Sequence, residues 1–165
     1  EIFLLHFDAH ADLRQEYLGE KFSHASAIRR CLDYKNVKVI SLGIRNLSEE
    51  EMKFYKNNRD RIEIFWATEK NRCNLDLLKK KLIKKNVYIT FDVDCFDSSI
   101  MPATGTPEPG GLLWDEALEI IKMTAKNSNI VGADINELSP IKGFNSYNFL
   151  VAKLAYKILA YKFFY

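Results

Sequence analysis

Residues 2–12 read Ile2-Phe3-Leu4-Leu5-His6-Phe7-Asp8-Ala9-His10-Ala11-Asp12. An apolar run passes straight into Asp8, His10 and Asp12. On an extended chain successive side chains point to opposite faces, so residues two apart share a face. The stretch therefore reads as a buried strand that delivers a carboxylate, an imidazole and a second carboxylate to one side of its carboxyl end. His6 has the same parity but lies inside the run, and it reads as a core histidine. The pattern returns at Val87-Tyr88-Ile89-Thr90-Phe91, again apolar, which delivers Asp92 and Asp94 with the same spacing.

Carboxylates converging at strand ends repel one another, and crowding raises their pKa values. Divalent cations remove the conflict: two of them carry charge +4, matching Asp8, Asp12, Asp92 and Asp94, with His10 as a neutral ligand. A carboxylate-rich set with an imidazole suits Mn²⁺ better than a thiolate-seeking metal. A lone Asp-x-Asp is more often a solvated strand cap. Two such groups, one with an interleaved histidine and each directly after an apolar run, point instead to a metal centre.

Outward from these stretches, strand-like and helix-like segments alternate. Strands are expected at Ile2 to Phe7, Val37 to Leu42, Ile62 to Trp66, Val87 to Phe91 and Ile130 to Ile135. Helices are expected at Ala25 to Leu32, Leu75 to Lys84, Asp115 to Ala125 and Tyr147 to Tyr161, and from Ser48 to about Asn57, where Ser48-Glu49-Glu50-Glu51 forms a capping box. Leu13 to Ser23 and Asp97 to Leu113 read as loops. Such alternation implies parallel strands joined by crossovers in a layered α/β domain. Ligands of such sheets sit beyond the carboxyl ends of the strands, where Asp8, Asp92 and Glu137 fall.

Twenty-four basic and 22 acidic side chains leave a net charge of +2, which calls for neither nucleic acid nor membrane as partner. Lysine runs such as Lys79-Lys80-Lys81 read as solvated helix faces. Cys31, Cys73 and Cys95 are odd in number and widely spaced, which suggests neither a disulfide framework nor a zinc ribbon, and a reducing cytoplasmic compartment is the simplest expectation. Cys95 reads as a small core residue. The chain opens on Glu1 and enters a buried-type strand at once, so it is expected to be the C-terminal part of a longer protein.

Several segments together resemble the ureohydrolase family (arginase, agmatinase and relatives). They are Phe7-Asp8-Ala9-His10-Ala11-Asp12, Ser23-His24-Ala25, Phe91-Asp92-Val93-Asp94-Cys95-Phe96-Asp97, Pro102 to Gly111, and Asn136-Glu137-Leu138-Ser139-Pro140. The resemblance implies an arginase-like α/β/α fold with a mainly parallel sheet, and a single domain over 1–165 lacking its N-terminal portion. It implies two Mn²⁺ ions held by Asp8, His10, Asp12, Asp92 and Asp94, with Asp8 and Asp92 bridging. It gives Glu137 the substrate guanidinium, makes Thr106 an orienter of Glu137, and gives proton transfer to His24 and Asp94. Asp97 repeats the spacing off parity, and its own reading is a role either behind the metal ligands or in fixing the following loop. The expected reaction is hydrolysis of a small guanidino substrate to urea and an amine, in a homo-oligomer when full length.

The agmatinase branch is the nearest match, because Leu13-Arg14-Gln15-Glu16-Tyr17-Leu18-Gly19-Glu20 lacks the Asn and Ser with which arginases read an α-amino acid end. Agmatine, giving putrescine and urea, is the expected substrate. Alternatives are another amidinohydrolase, acting on guanidinobutyrate or arginine, or an inactive fragment serving as a metal-binding scaffold. Ser98 and Ala103-Thr104 depart from the usual family residues and bear on fine specificity. A further family histidine, in a Gly-Gly-x-His loop, has no counterpart among His6, His10 and His24. The set Asp8, His10, Asp92 and Asp94 is thus expected to fill with metal before Asp8, Asp12 and Asp92.

Overall fold

The computed structural model describes residues 1–69 and 73–165. Strands β1 (Ile2–Phe7), β2 (Val37–Ile44), β3 (Ile62–Trp66), β4 (Asn86–Asp92) and β5 (Asn129–Asn136) form one sheet in the order β3-β2-β1-β4-β5. Every pairing in it is parallel. Helices α1 (Ala27–Cys31), α2 (Glu49–Asn57), α3 (Leu75–Leu82), α4 (Trp114–Asn127) and α5 (Asn145–Phe164) provide the crossovers and the final element.

Alternation along the strands sorts the core into two layers. Phe3, Leu5, Phe7, Ile40, Leu42, Val87, Ile89 and Phe91 face one side, where Leu78 and Leu82 of α3, Ile120 and Ile121 of α4, and Leu154 and Ile158 of α5 cover them. Leu4, Val39, Ile62 and Ile64 face the other, under Ile28 of α1 and Tyr55 of α2. The expected capping box is present at α2: Ser48 Oγ accepts the Glu51 N–H, and Glu51 Oε2 accepts the Ser48 N–H at 2.7 Å.

Boundaries differ from expectation where the backbone turns. The segment expected as one helix over Ala25 to Leu32 is a 3-10 turn, His24–Ser26, followed by the short α1. Helix α3 stops at Leu82, because Ile83 is already extended and Lys84 takes the left-handed conformation at φ +58°. The long Asp97 to Leu113 connection is irregular, as expected. Asp97 pins it, Oδ2 accepting the N–H groups of Gly110 at 2.6 Å and Gly111 at 3.1 Å. Gly111 is required there, since a Cβ would lie 2.5 Å from the Asp97 nitrogen.

Helix α5 buries Leu154 and Ile158 but leaves Phe149, Tyr156, Leu159 and Phe163 exposed along its outer side. Among the described residues no helix is long and apolar enough to cross a membrane.

Candidate metal-binding active site

The strand order places β1 and β4 side by side at the centre. From β1 the chain proceeds through β2 to β3 on one side, then crosses to β4 and β5 on the other. The loops leaving β1 and β4 therefore diverge and open a crevice at the carboxyl edge, the usual ligand position in such sheets. The β1–β4 ladder pairs His6 with Thr90 and Phe7 with Phe91. One step further along each strand come Asp8 and Asp92.

A cleft of about 540 Å³ occupies this crevice, lined among others by Asp8, His10, Asp12, Asp92, Asp94 and Glu137. Asp8 and Asp94 are almost fully buried beneath it. Asp8 Oδ2 accepts from His6 Nε2 at 2.8 Å, and Asp8 Oδ1 accepts the His10 N–H at 2.6 Å. His6 Nδ1 lies 3.1 Å from Ser41 Oγ, so the core histidine read from the sequence also fixes the Asp8 carboxylate from below. Asp94 Oδ1 accepts the Ala9 N–H at 3.0 Å, tying the second carboxylate group to the first. His10 Nδ1 lies 3.0 Å from Asp94 Oδ2.

The electrostatics are those of crowded carboxyls. Burial, reinforced by the Asp8 charge, pushes the Asp12 carboxyl up to about 8. Burial with the charges of Asp8 and Asp94 pushes Asp92 up to about 10. Hydrogen bonds to Asp8 and Asp94 raise His10 to about 10. Burial opposes ionisation of Asp8, yet its hydrogen bonds with His10 and His6 overcome that and hold it below the usual carboxylate range. Anionic donors that can ionise together only with difficulty are suited to cations, which neutralise them. Ligand atoms of Asp8, His10 and Asp94 lie within 4.8 Å of one another, as do those of His6, Asp8 and Asp12. The donors present thus fit hard or borderline divalent ions.

The remaining residues singled out in the sequence stand around this centre. Glu137 follows β5, lines the cleft and has φ +65°, a left-handed conformation that costs a non-glycine residue energy. Asp12 shares it at φ +53°. His24 is exposed on the cleft wall, edge-on to Tyr17 with ring centroids 5.4 Å apart. Thr106 differs from expectation: its hydroxyl donates to Asp94 Oδ2 at 3.3 Å, so it orients Asp94 rather than Glu137. Glu137 instead lies against Gly105, where an added Cβ would sit 3.8 Å from Oε2. Cys95 is fully buried, and burial holds its thiol well above the ordinary value.

Two contributors were not visible in the sequence. Glu51, read only as a capping residue, also accepts the Leu13 N–H at 3.0 Å and so fixes the chain leaving Asp12. Arg45, at the end of β2, reaches over to the Asp94 turn and to the Glu108 loop. The only local signal for Glu51 was its place in a capping box, and Arg45 carried none.

A parallel α/β sheet with a carboxylate-rich cleft at its switch point, whose donors fit divalent cations, is the class this geometry defines. The chain belongs to the arginase family, whose model matches residues 1–161. It is 38% identical to the agmatinase of Pyrococcus horikoshii over 154 residues, 93% of this chain and 53% of that protein. It is 34% identical to the N(1)-aminopropylagmatine ureohydrolase of Synechocystis sp. over 160 residues, 96% of this chain and 51% of that protein. Among solved structures it matches the agmatine ureohydrolase of Thermoplasma volcanium with a TM-score of 0.82 at 30% identity, covering 98% of this chain and 55% of that one. The chain spans about half the length of the curated relatives it matches.

Proposed function

We propose that these residues belong to a single ureohydrolase domain that hydrolyses a guanidino compound, agmatine first among candidates, to urea and an amine. The observation that carries the proposal is the convergence of Asp8, His10, Asp12, Asp92 and Asp94 on one cleft with Glu137 on its wall. Asp8, His10, Asp12, Asp92 and Asp94 would hold two Mn²⁺ ions, and the family resemblance would have Asp8 and Asp92 serve both. Ions held there supply Lewis acidity and a water acidic enough to serve as nucleophile at neutral pH.

The chain's own groups do the rest. The Glu137 carboxylate matches the planar fork of a guanidinium and aligns its carbon with the carboxylate floor. His6 and Thr106 hold Asp8 and Asp94 in place. The departing amine takes a proton through Asp94 or through His24, whose imidazole stands on the cleft wall. The relatives' names, agmatinase and N(1)-aminopropylagmatine ureohydrolase, support a substrate without an α-amino acid end. So does the absence of Asn and Ser from residues 13–20.

The test is urea release by the natural polypeptide that carries these residues, with Mn²⁺, on agmatine, N(1)-aminopropylagmatine, guanidinobutyrate and arginine. Agmatine should exceed arginine in kcat/KM. The reverse order would overturn the agmatine assignment, and metal uptake without urea from any of them would leave a metal-binding scaffold.

A further inference from the structure

Arg45 spends its guanidinium on main-chain carbonyls. Nη2 donates to the carbonyl oxygens of Asp94 at 2.8 Å, Glu108 at 2.8 Å and Phe96 at 3.3 Å. Nη1 donates to Gly43 at 2.9 Å and lies 3.5 Å from the Cys95 oxygen, and Nε donates to Pro109 at 3.1 Å. The main chain of the same residue is engaged too, since the N–H groups of Arg45 and Asn46 both donate to the Ala9 oxygen, at 2.9 and 3.0 Å.

These bonds join three segments beyond the sheet's strands, which among the described residues are otherwise β-paired only by the single bridges His10–Asn46 and Phe96–Leu112. Ala9 lies between Asp8 and His10. The carbonyls of Asp94, Cys95 and Phe96 belong to the 3-10 turn that aims Asp94 into the cleft. Glu108 and Pro109 belong to the loop carrying Thr106, whose hydroxyl rests on Asp94 Oδ2. One nitrogen, Nη2, therefore fixes both the main chain of Asp94 and the loop whose side chain orients its carboxylate. A guanidinium suits this junction because its donors are spread in a rigid plane, whereas an ammonium is a single point with three rotating donors.

We propose that Arg45 is a positioning residue for the reaction above: it sets the spacing between the Asp8–His10 group and Asp94 and holds the Thr106 loop on Asp94. It touches no substrate. This inference rests on the metal-hydrolase reading. If it is right, loss of the guanidinium fork weakens the cation position that needs Asp94 and slows turnover while leaving guanidinium capture at Glu137 unchanged.

The experiment compares wild type, Arg45→Lys, Arg45→Met, Thr106→Val and the Arg45→Lys/Thr106→Val double variant of the natural polypeptide. Mn²⁺ affinity is read by calorimetry, kcat and KM on agmatine by urea release, and folding by thermal melting. Arg45→Lys keeps the charge, so it decides the matter if Arg45→Met does not fold. Expected are an affinity about 10–100-fold weaker at one of two positions, in the range seen when groups orienting a metal ligand are lost, and a fall in kcat with KM unchanged. The double variant should lose little more than Arg45→Lys alone, because both changes cut the same link. Wild-type affinity in folded Arg45→Lys, or losses that simply add in the double variant, would overturn the proposal while the metal-hydrolase reading stands. A wild type that takes up no Mn²⁺ and releases no urea from any guanidino substrate would overturn both.

Discussion

Phe7 and Phe91 stack with ring centroids 4.6 Å apart and planes 20° from parallel. They are partners in the β1–β4 ladder, both fully buried, and the next residue on each strand is a cleft carboxylate. The apolar pair thus sets the register of the polar one, because a slip of one residue would turn Asp8 toward the core. Phe91→Ala should cost about 3–5 kcal/mol of stability, the usual range for emptying a buried aromatic site. Urea unfolding with an unchanged midpoint would show that the stack does not hold the register.

Asp92→Asn removes the carboxylate proposed to be shared between both ions. Metal content of the natural polypeptide should fall at both positions together. Elemental analysis finding undiminished manganese in the folded variant would remove Asp92 from the ligand set.

His24→Ala should keep its metal and lose turnover by ~10²–10⁴-fold, the usual contribution of a general acid–base group. Its imidazole stands on the cleft wall, beside Tyr17 rather than beneath the carboxylate floor. Loss of metal along with turnover would make it a ligand instead.

Without metal, stability should fall as pH rises. Asp12 and Asp92 are raised by burial and neighbouring charge from 3.8 to about 8 and about 10, and His10 from 6.5 to about 10 by its hydrogen bonds to Asp8 and Asp94. Above the ordinary values the unfolded chain has lost these protons while the folded chain keeps them. Their contribution is complete below the unfolded values and vanishes as pH climbs through the folded ones. Asp8 acts oppositely, its contribution being present above 3.8 and lost in acid. Melting in chelator should give midpoints that decline across roughly pH 5–9, while Mn²⁺ uptake releases protons. A chelated midpoint that rises over that span would contradict these assignments.

The exposed Phe149, Tyr156, Leu159 and Phe163 on α5 predict association of the 165-residue chain expressed by itself. Light scattering should show oligomers or aggregates that Phe149→Lys with Phe163→Lys reduces. A clean monomer at high concentration would show that this face is tolerated in water.

Much of the fold was legible because its strands are apolar runs ended by polar groups. Ile62–Trp66 and Ile2–Phe7 were bounded correctly from pattern alone. The helix after His24 was overestimated, since apolar spacing at Ala25, Ile28 and Leu32 does not reveal that the first turn winds as a 3-10 turn. In the cleft, the spacing of two after each apolar run picked out residues that line one crevice. Asp8, His10 and Asp94 bring ligand atoms within 4.8 Å of one another and Asp92 lines the same cleft, although Asp94 gets there from a 3-10 turn and not from extended chain. The partner of Thr106 was misread because it depends on how a long irregular loop folds back. Arg45 escaped notice for the same reason: its acceptors are main-chain carbonyls, which have no residue type and leave no mark on a sequence.

The left-handed backbone at Glu137 has a consequence for any attempt to improve this protein by screening. An L residue there gives up about 1 kcal/mol or more relative to glycine, and asparagine tolerates the conformation better than glutamate. Libraries sorted only by heat resistance should therefore enrich glycine or asparagine at position 137, and such winners would have traded away the carboxylate that faces the cleft. Thermal rank and guanidinium capture would then run in opposite directions across the same library, so a campaign on this scaffold has to score turnover in the same round as melting.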